Sequence, residues 1–232
     1  MERLAEVPRG TRPTSGPRGL TSTDPLRDLL QQGLAELQMA PGLGEPLAIL
    51  SDLVADWAAR MNLTAHRTPA DVARRLVLDA LALAAVSPVA SPESLADLGS
   101  GAGFPGLPMA VLWPRCRVTL VEARERRHHF ERAAIRALAL DNTTALRGRA
   151  EDLEPAPHQV VVSQAMAEPG RALGWMAPWA PDGGWLLLPQ AADAPGIDPP
   201  HGIERVDVRS YRVPLGGPVR SLWIGRRAVA AT

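Results

Sequence analysis

Lysine is absent from this chain: all 25 residues counted as lysine or arginine are arginine. That excludes any chemistry that needs a lysine amine, Schiff bases included. Cysteine is nearly absent too. Cys116 stands alone, so the chain has no internal disulfide and no cysteine-rich zinc site. Its setting, Trp113-Pro114-Arg115-Cys116-Arg117, reads as a loop leading into a strand rather than a nucleophile's environment. The five histidines show no metal-ligand spacing, and the adjacent His128 and His129 point to different sides of a helix. Aromatic residues make up 4% of the chain. No apolar run reaches the ~18 residues of a membrane span, and the N-terminus carries no apolar signal core. The expectations are therefore no metal, no membrane and a cytoplasmic setting. Acidic and basic residues balance at 25 each, so a nucleic-acid surface would have to be local.

Proline is plentiful, at 23 residues against 20 glycines, and it punctuates the chain. Residues 1–24 hold Pro8, Pro13 and Pro17 among arginines with no apolar period, and read as a disordered tail. Asp24-Pro25 then opens a helix by the N-cap and first-position preferences. Leu26, Leu29, Leu30, Leu34 and Leu37 follow at helical spacing. A second helix carries Leu47, Leu50, Leu53, Val54 and Trp57. A third runs from Thr68-Pro69 to Ser87-Pro88. Residues 25–90 thus form a helical segment, and residues 91–232 a second unit.

In that second unit, strands are expected at 94–98, 117–122, 143–147, 159–163 and 184–188. Helices are expected at 106–113, 124–139 and 168–180. Such alternation gives an α/β fold with a mostly parallel, Rossmann-like sheet. Residues 203–213 and 219–226 read as an antiparallel hairpin closing it, as in class I methyltransferases.

The densest signal is Asp97-Leu98-Gly99-Ser100-Gly101-Ala102-Gly103-Phe104-Pro105-Gly106: an acid at a strand end, then four glycines. Such a turn between strand and helix suits a nucleotide-type cofactor. Gly101 to Gly106 formally matches the dinucleotide fingerprint. Asp97 ahead of the loop would repel a pyrophosphate and would suit the ammonium and sulfonium groups of S-adenosylmethionine. Glu122, ending the next strand, can accept hydrogen bonds from ribose hydroxyls of either cofactor.

These residues resemble a known family. Asp97 to Pro108 is similar to the cofactor loop of the guanine-N7 methyltransferases of small-subunit ribosomal RNA, the glucose-inhibited division protein B family. Met61-Asn62-Leu63-Thr64-Ala65-His66-Arg67 resembles that family's Asn-Leu-Thr segment. Arg75-Leu76-Val77-Leu78-Asp79-Ala80 resembles its Arg-His-Ile-Leu-Asp-Ser segment, and Arg147 to Asp152 its adenine-contacting turn. The resemblance implies S-adenosylmethionine contacts from Gly99, Phe104, Ala150 and Glu151; with Asp97, Gly101, Gly103 and Glu122 of the loop reading, and Gln164 after the fourth strand, these are the candidate cofactor residues. It also implies that Asn62 and Arg75 flank the cofactor pocket or the RNA path, with 16S rRNA or the 30S particle as partner; Arg67, beside the matched segment, and Gln164 join them as candidate substrate residues, and a monomer is the expected state. The chain departs from the family at three positions. Gln164 stands for an arginine, Pro189 for a lysine and Leu76 for a histidine. Those departures keep two alternatives open: a methyltransferase for another RNA or a small molecule, or a cofactor-binding module without transfer. Guanine N7 carries a lone pair and no proton, so no catalytic acid or base is expected.

Overall fold

A computed structural model describes residues 24–229. The tail expected over 1–24 lies, apart from Asp24, outside the described residues. Helix α1 spans Pro25–Glu36, and the Asp24 carboxylate accepts from the Leu26 N–H at its start. A 3-10 turn at Pro41–Leu43 leads into α2, Gly44–Arg60. The Thr68 hydroxyl accepts from the Asp71 N–H and opens α3, Pro69–Val72. A π-helical turn, Ala73–Val77, joins it to α4, Leu78–Ala85. The leucine period predicts one helix here. The π turn is the departure, and such turns recur at functional sites. Arg74 and Arg75 stand exposed on it, while Asp79 is buried just beyond.

The sheet follows. Its strands are β1 Ser94–Leu98, β2 Arg117–Glu122, β3 Thr143–Arg147 and β4 Val160–Val162. Then come β5 Trp185–Ala191, β6 Ile203–Arg212 and β7 Val219–Arg227. Helices α5 (Gly106–Leu112), α6 (Glu125–Ala137) and α7 (Pro169–Met176) connect them. The order is β3-β2-β1-β4-β5-β7-β6. β1 to β5 pair in parallel, and β7 enters antiparallel between β5 and β6. This is the class I methyltransferase order. The helix expected over 168–180 changes at Ala177 into a 3-10 turn, Ala177–Trp179, with Pro178 inside it. β5 runs three residues beyond the expected end at Leu188, because the hairpin partner β7 extends its ladder to Ala191.

Side chains alternate across the sheet as strand geometry requires. Leu95, Val118, Leu120, Val160, Val162 and Leu187 join one core with α1 to α6. Ala96, Leu98, Val121, Val161, Leu186 and Leu188 join the other with α7 and Trp179. The N-terminal helices therefore share a core with one face of the sheet. Strand order reverses at β1, and the crevice beyond the carboxyl ends of β1 and β4 is where such sheets bind ligands.

Candidate cofactor and substrate cavities

The loop after β1 is held from below by β2. Gly99 and Ser100 donate their N–H groups to the Val121 carbonyl, at 2.8 and 3.2 Å. Glu122 then clamps the loop to the start of α6. Its Oε2 accepts from the Gly101 N–H at 3.0 Å, and its Oε1 from the Arg124 N–H at 2.6 Å. Gly99 has φ +72°, and a Cβ there would sit 2.9 Å from Met166 Cγ. Glycine is what lets this turn exist against the β4 loop.

A cavity of about 330 Å³ opens at this point. Gly99 and Glu122 line it from the glycine loop and β2, Arg124 and Arg127 from α6. Arg149, Ala150 and Glu151 line it from the turn after β3, and Ala165, Met166 and Trp175 close it from the β4 side. Its size suits a nucleoside-containing ligand. The fully buried Trp179 indole donates to the Ala150 carbonyl at 3.1 Å and so fixes that turn from the far side of the sheet. Among the described residues no backbone carbonyl accepts from the Ala150 or Glu151 N–H. Both remain available to a ligand.

Four of the sequence-derived cofactor residues thus share one cavity: Gly99, Glu122, Ala150 and Glu151. Asp97 is placed elsewhere. On β1 it shares a side of the strand with Leu95, the side that α5 covers. It is fully buried, and its Oδ2 accepts from the Gly106 N–H at 2.8 Å. The carboxylate holds the start of α5 and does not line the cavity. Gly106 has a packing reason of its own, since a Cβ would fall 2.3 Å from Leu120 Cδ2. Gly103 likewise lies under Leu107, whose Cδ1 a Cβ would meet at 2.2 Å. Phe104 is buried in the core with α5. Gly101 bonds Glu122 but does not line the cavity wall.

Behind the loop lies an acidic cluster that the sequence reading passed over. Ser100 Oγ donates to Glu131 Oε1 at 2.5 Å, and Glu131 is fully buried. Burial pushes Glu131 up to about 8, with Asp97 and Glu122 nearby adding to the rise and the Ser100 hydroxyl opposing it. Burial likewise pushes Asp97 up to about 7, against the Gly106 N–H that favours its anion. Asp97 Oδ1 and Glu131 Oε2 are both buried without a hydrogen-bond partner.

A second cavity, of about 160 Å³, is lined by His66, Arg75, Leu76, Asp79, Gln164, Val213, Pro218 and Arg220. Gln164 belongs to it, and the next two residues, Ala165 and Met166, belong to the first. One three-residue stretch after β4 therefore contributes to both spaces. Ala165 holds φ +54° in the middle of it. Of the sequence-derived substrate residues, Arg75 and Gln164 meet here. Asn62 and Arg67 lie exposed between α2 and α3 and line neither cavity. Arg124 and Arg127, at the start of α6, line the first cavity. Both follow Glu122 within five residues. Trp185 lies at the amino end of β5, under the Arg226 guanidinium at 4.0 Å. A cavity there of about 390 Å³ opens at the amino ends of the strands, away from the glycine loop.

Among the described residues no group of histidine, cysteine and carboxylate side chains could hold a metal ion. No described helix is long and apolar enough to cross a membrane. Cys116 is buried, and burial raises its thiol to about 11.

Residues 44–194 match the family described as rRNA small subunit methyltransferase G. The Ribosomal RNA small subunit methyltransferase G of Stenotrophomonas maltophilia (strain R551-3) is 38% identical over 160 residues, covering 69% of this chain and 71% of that protein. Its namesake from Nitratidesulfovibrio vulgaris (strain DP4) is 40% identical over 136 residues, 56% of this chain and 62% of that protein. Among solved structures, MtNAS in complex with MTA and tNA superposes with a TM-score of 0.56 at 16% identity, over 88% of this chain and 76% of that one. The yhhF protein of Escherichia coli superposes at 0.52, also at 16% identity, over 66% of this chain and 87% of that one. These two likenesses show the fold. With the family match over residues 44–194 and the identity of its curated relatives, the chain belongs to the rRNA small subunit methyltransferase G family.

Proposed function

We propose that this protein transfers the methyl group of S-adenosylmethionine to N7 of a guanine in the decoding region of 16S ribosomal RNA, within the 30S particle. The observation that carries this reading is that two cavities are lined by consecutive residues of one loop, Gln164 in the smaller and Ala165 and Met166 in the larger. Direct transfer needs the methyl group and the base to meet in line, and adjoining cavities on one loop put donor and acceptor side by side.

The residues of the larger cavity fit the cofactor. The free N–H groups of Ala150 and Glu151 suit an adenine edge, and Glu122 stands at the wall where ribose hydroxyls would be read. Gly99 leaves the floor without a side chain. Bound there, S-adenosylmethionine supplies a methyl group activated by its sulfonium centre. The protein's own work is positional. Trp179 fixes the adenine turn, Glu122 fixes the glycine loop, and Met166 packs between loop and cavity. Guanine N7 has no proton to lose, so neither cavity has to provide a base.

Arg75 lines the smaller cavity, and Arg67 and Arg74 are exposed nearby in the chain; the three would neutralise RNA phosphates. The protein works as a cytoplasmic monomer on this reading. The test is transfer of tritium from methyl-labelled S-adenosylmethionine to 30S subunits that lack this methyl group. Label in 16S rRNA is expected. Binding of the cofactor without label in 16S rRNA would overturn the reading.

A further inference from the structure

The smaller cavity has a composition that its size alone does not explain. Leu76, Val213 and Pro218 give it apolar walls. At about 160 Å³ it holds roughly five waters at ~30 Å³ each, a space for one heterocycle. Its polar floor comes from two distant parts of the chain. Asp79, from α4, is 5% exposed. Arg220, from β7, puts its Nε 2.8 Å from Asp79 Oδ2, as an ion pair without a directed hydrogen bond. The Tyr211 hydroxyl donates to Asp79 Oδ1 at 3.1 Å and fixes the carboxylate from β6. Among the described residues, neither the two Nη groups of Arg220 nor the Gln164 amide has a hydrogen-bond partner.

We infer that the Asp79–Arg220 pair reads the N1–H and O6 edge of the target guanine, the base sitting between Leu76 and Pro218. This rests on the proposed methyl transfer to guanine. An ion pair presents an acceptor beside a donor. Guanine presents the complement, a donor at N1 beside an acceptor at O6. Adenine presents the reverse order, an N6 amino donor beside the N1 acceptor. It could satisfy the pair only when shifted in the cavity, which takes N7 off the line to the methyl group. A phosphate fits less well, because the floor holds a carboxylate and the walls are apolar.

The same pair matters for the step itself. As the N7–methyl bond forms, the sulfur–methyl bond breaks and its electron pair stays on sulfur, which becomes a neutral thioether. The positive charge passes to the purine, and no proton leaves. A carboxylate accepting from N1–H is bonded more strongly by that cationic purine than by neutral guanine. It therefore favours the transition state over the bound substrate. Asp79 is thus a specificity-determining residue whose loss should lower kcat as well as discrimination.

The experiment compares wild type, Asp79→Asn and Arg220→Gln on 30S subunits carrying either guanine or, by mutation of the rRNA gene, adenine at the labelled position. Cofactor affinity is measured alongside by calorimetry. For both variants the expected result is cofactor affinity within about twofold of wild type, kcat on guanine down by about 100-fold, and a guanine-over-adenine ratio reduced at least tenfold. Arg220→Gln keeps the carboxylate in place, so it reads the pair even where Asp79→Asn fails to fold. Unchanged kcat and ratio in a folded variant would overturn the inference. So would loss of cofactor binding in step with loss of transfer, which marks a structural role. If wild type labels no guanine at all, the proposed function itself fails before any variant is compared.

Discussion

The indole N–H of Trp179 donates to the carbonyl of Ala150 at 3.1 Å, across the face of the sheet opposite the N-terminal helices. This one bond ties the turn that would read adenine to the segment after α7. Trp179→Phe leaves the Ala150 carbonyl buried and unpaired, which costs about 1–3 kcal/mol. The expected outcome is a lower melting temperature and a several-fold weaker cofactor, measured by thermal unfolding and calorimetry. A variant that binds the cofactor as tightly as wild type would show that the turn is held by other means.

Gly99 tests the loop directly. Its φ of +72° costs an L-residue about 1–2 kcal/mol, and a Cβ there would press on Met166 at 2.9 Å. Gly99→Ala is expected to weaken cofactor binding at least tenfold with a smaller loss of stability. Equal binding in isothermal titration would remove the glycine loop from the site.

Glu122 has two tasks. It accepts from the Gly101 and Arg124 N–H groups and stands at the cavity wall. Glu122→Ala should therefore lower both cofactor affinity, by about 1–3 kcal/mol, and the stability of the unliganded chain. A loss of stability with unchanged affinity would assign it to the loop alone.

The buried acids give a pH dependence of fixed sign. Asp97 and Glu131 keep protons in the folded chain up to about 7 and about 8. The unfolded chain releases them in the ordinary carboxylate range. Between that range and about pH 8 the folded state holds more protons, so stability falls as pH rises. Glu131→Gln keeps a partner for the Ser100 hydroxyl and removes the charge. It is expected to stabilise the chain at pH 8.5 by about 1–3 kcal/mol relative to its effect at pH 5. Denaturant unfolding at the two pH values checks this. An equal effect at both would mean that Glu131 ionises in the folded chain in the ordinary carboxylate range, as it does unfolded.

Legibility in the sequence followed the range of the interactions. Strand β1, the glycine loop and Glu122 lie within one βαβ unit, and their alternation and spacing suffice to place them. Asp97 illustrates a local pattern read too simply. Its position before the loop suggests a ligand contact, yet period-two alternation with Leu95 already puts it under α5. Gly103 and Gly106 have packing reasons beside any ligand: Gly103 lies under Leu107 at the start of α5, and Gly106 lies against Leu120 of β2. Asp79 and Arg220 could not be paired by sequence reasoning, because only the hairpin's insertion beside β5 brings β7 to the site. The π turn under Arg74 and Arg75 leaves no mark in the leucine period. Nor did the resemblance, which dwelt on Gln164 and Pro189 as missing cations, show that Arg220 stands at the cavity that Gln164 lines.

The central claim is the atom that receives the methyl group. A 7-methylguanine is cationic, and reduction followed by aniline breaks the RNA chain at that nucleotide. The decisive measurement is therefore borohydride and aniline treatment of 16S rRNA from unmethylated 30S subunits after incubation with protein and S-adenosylmethionine. The account predicts a single new scission, in the decoding region, that depends on both protein and cofactor. Methyl label incorporated into 16S rRNA without any such scission would contradict it.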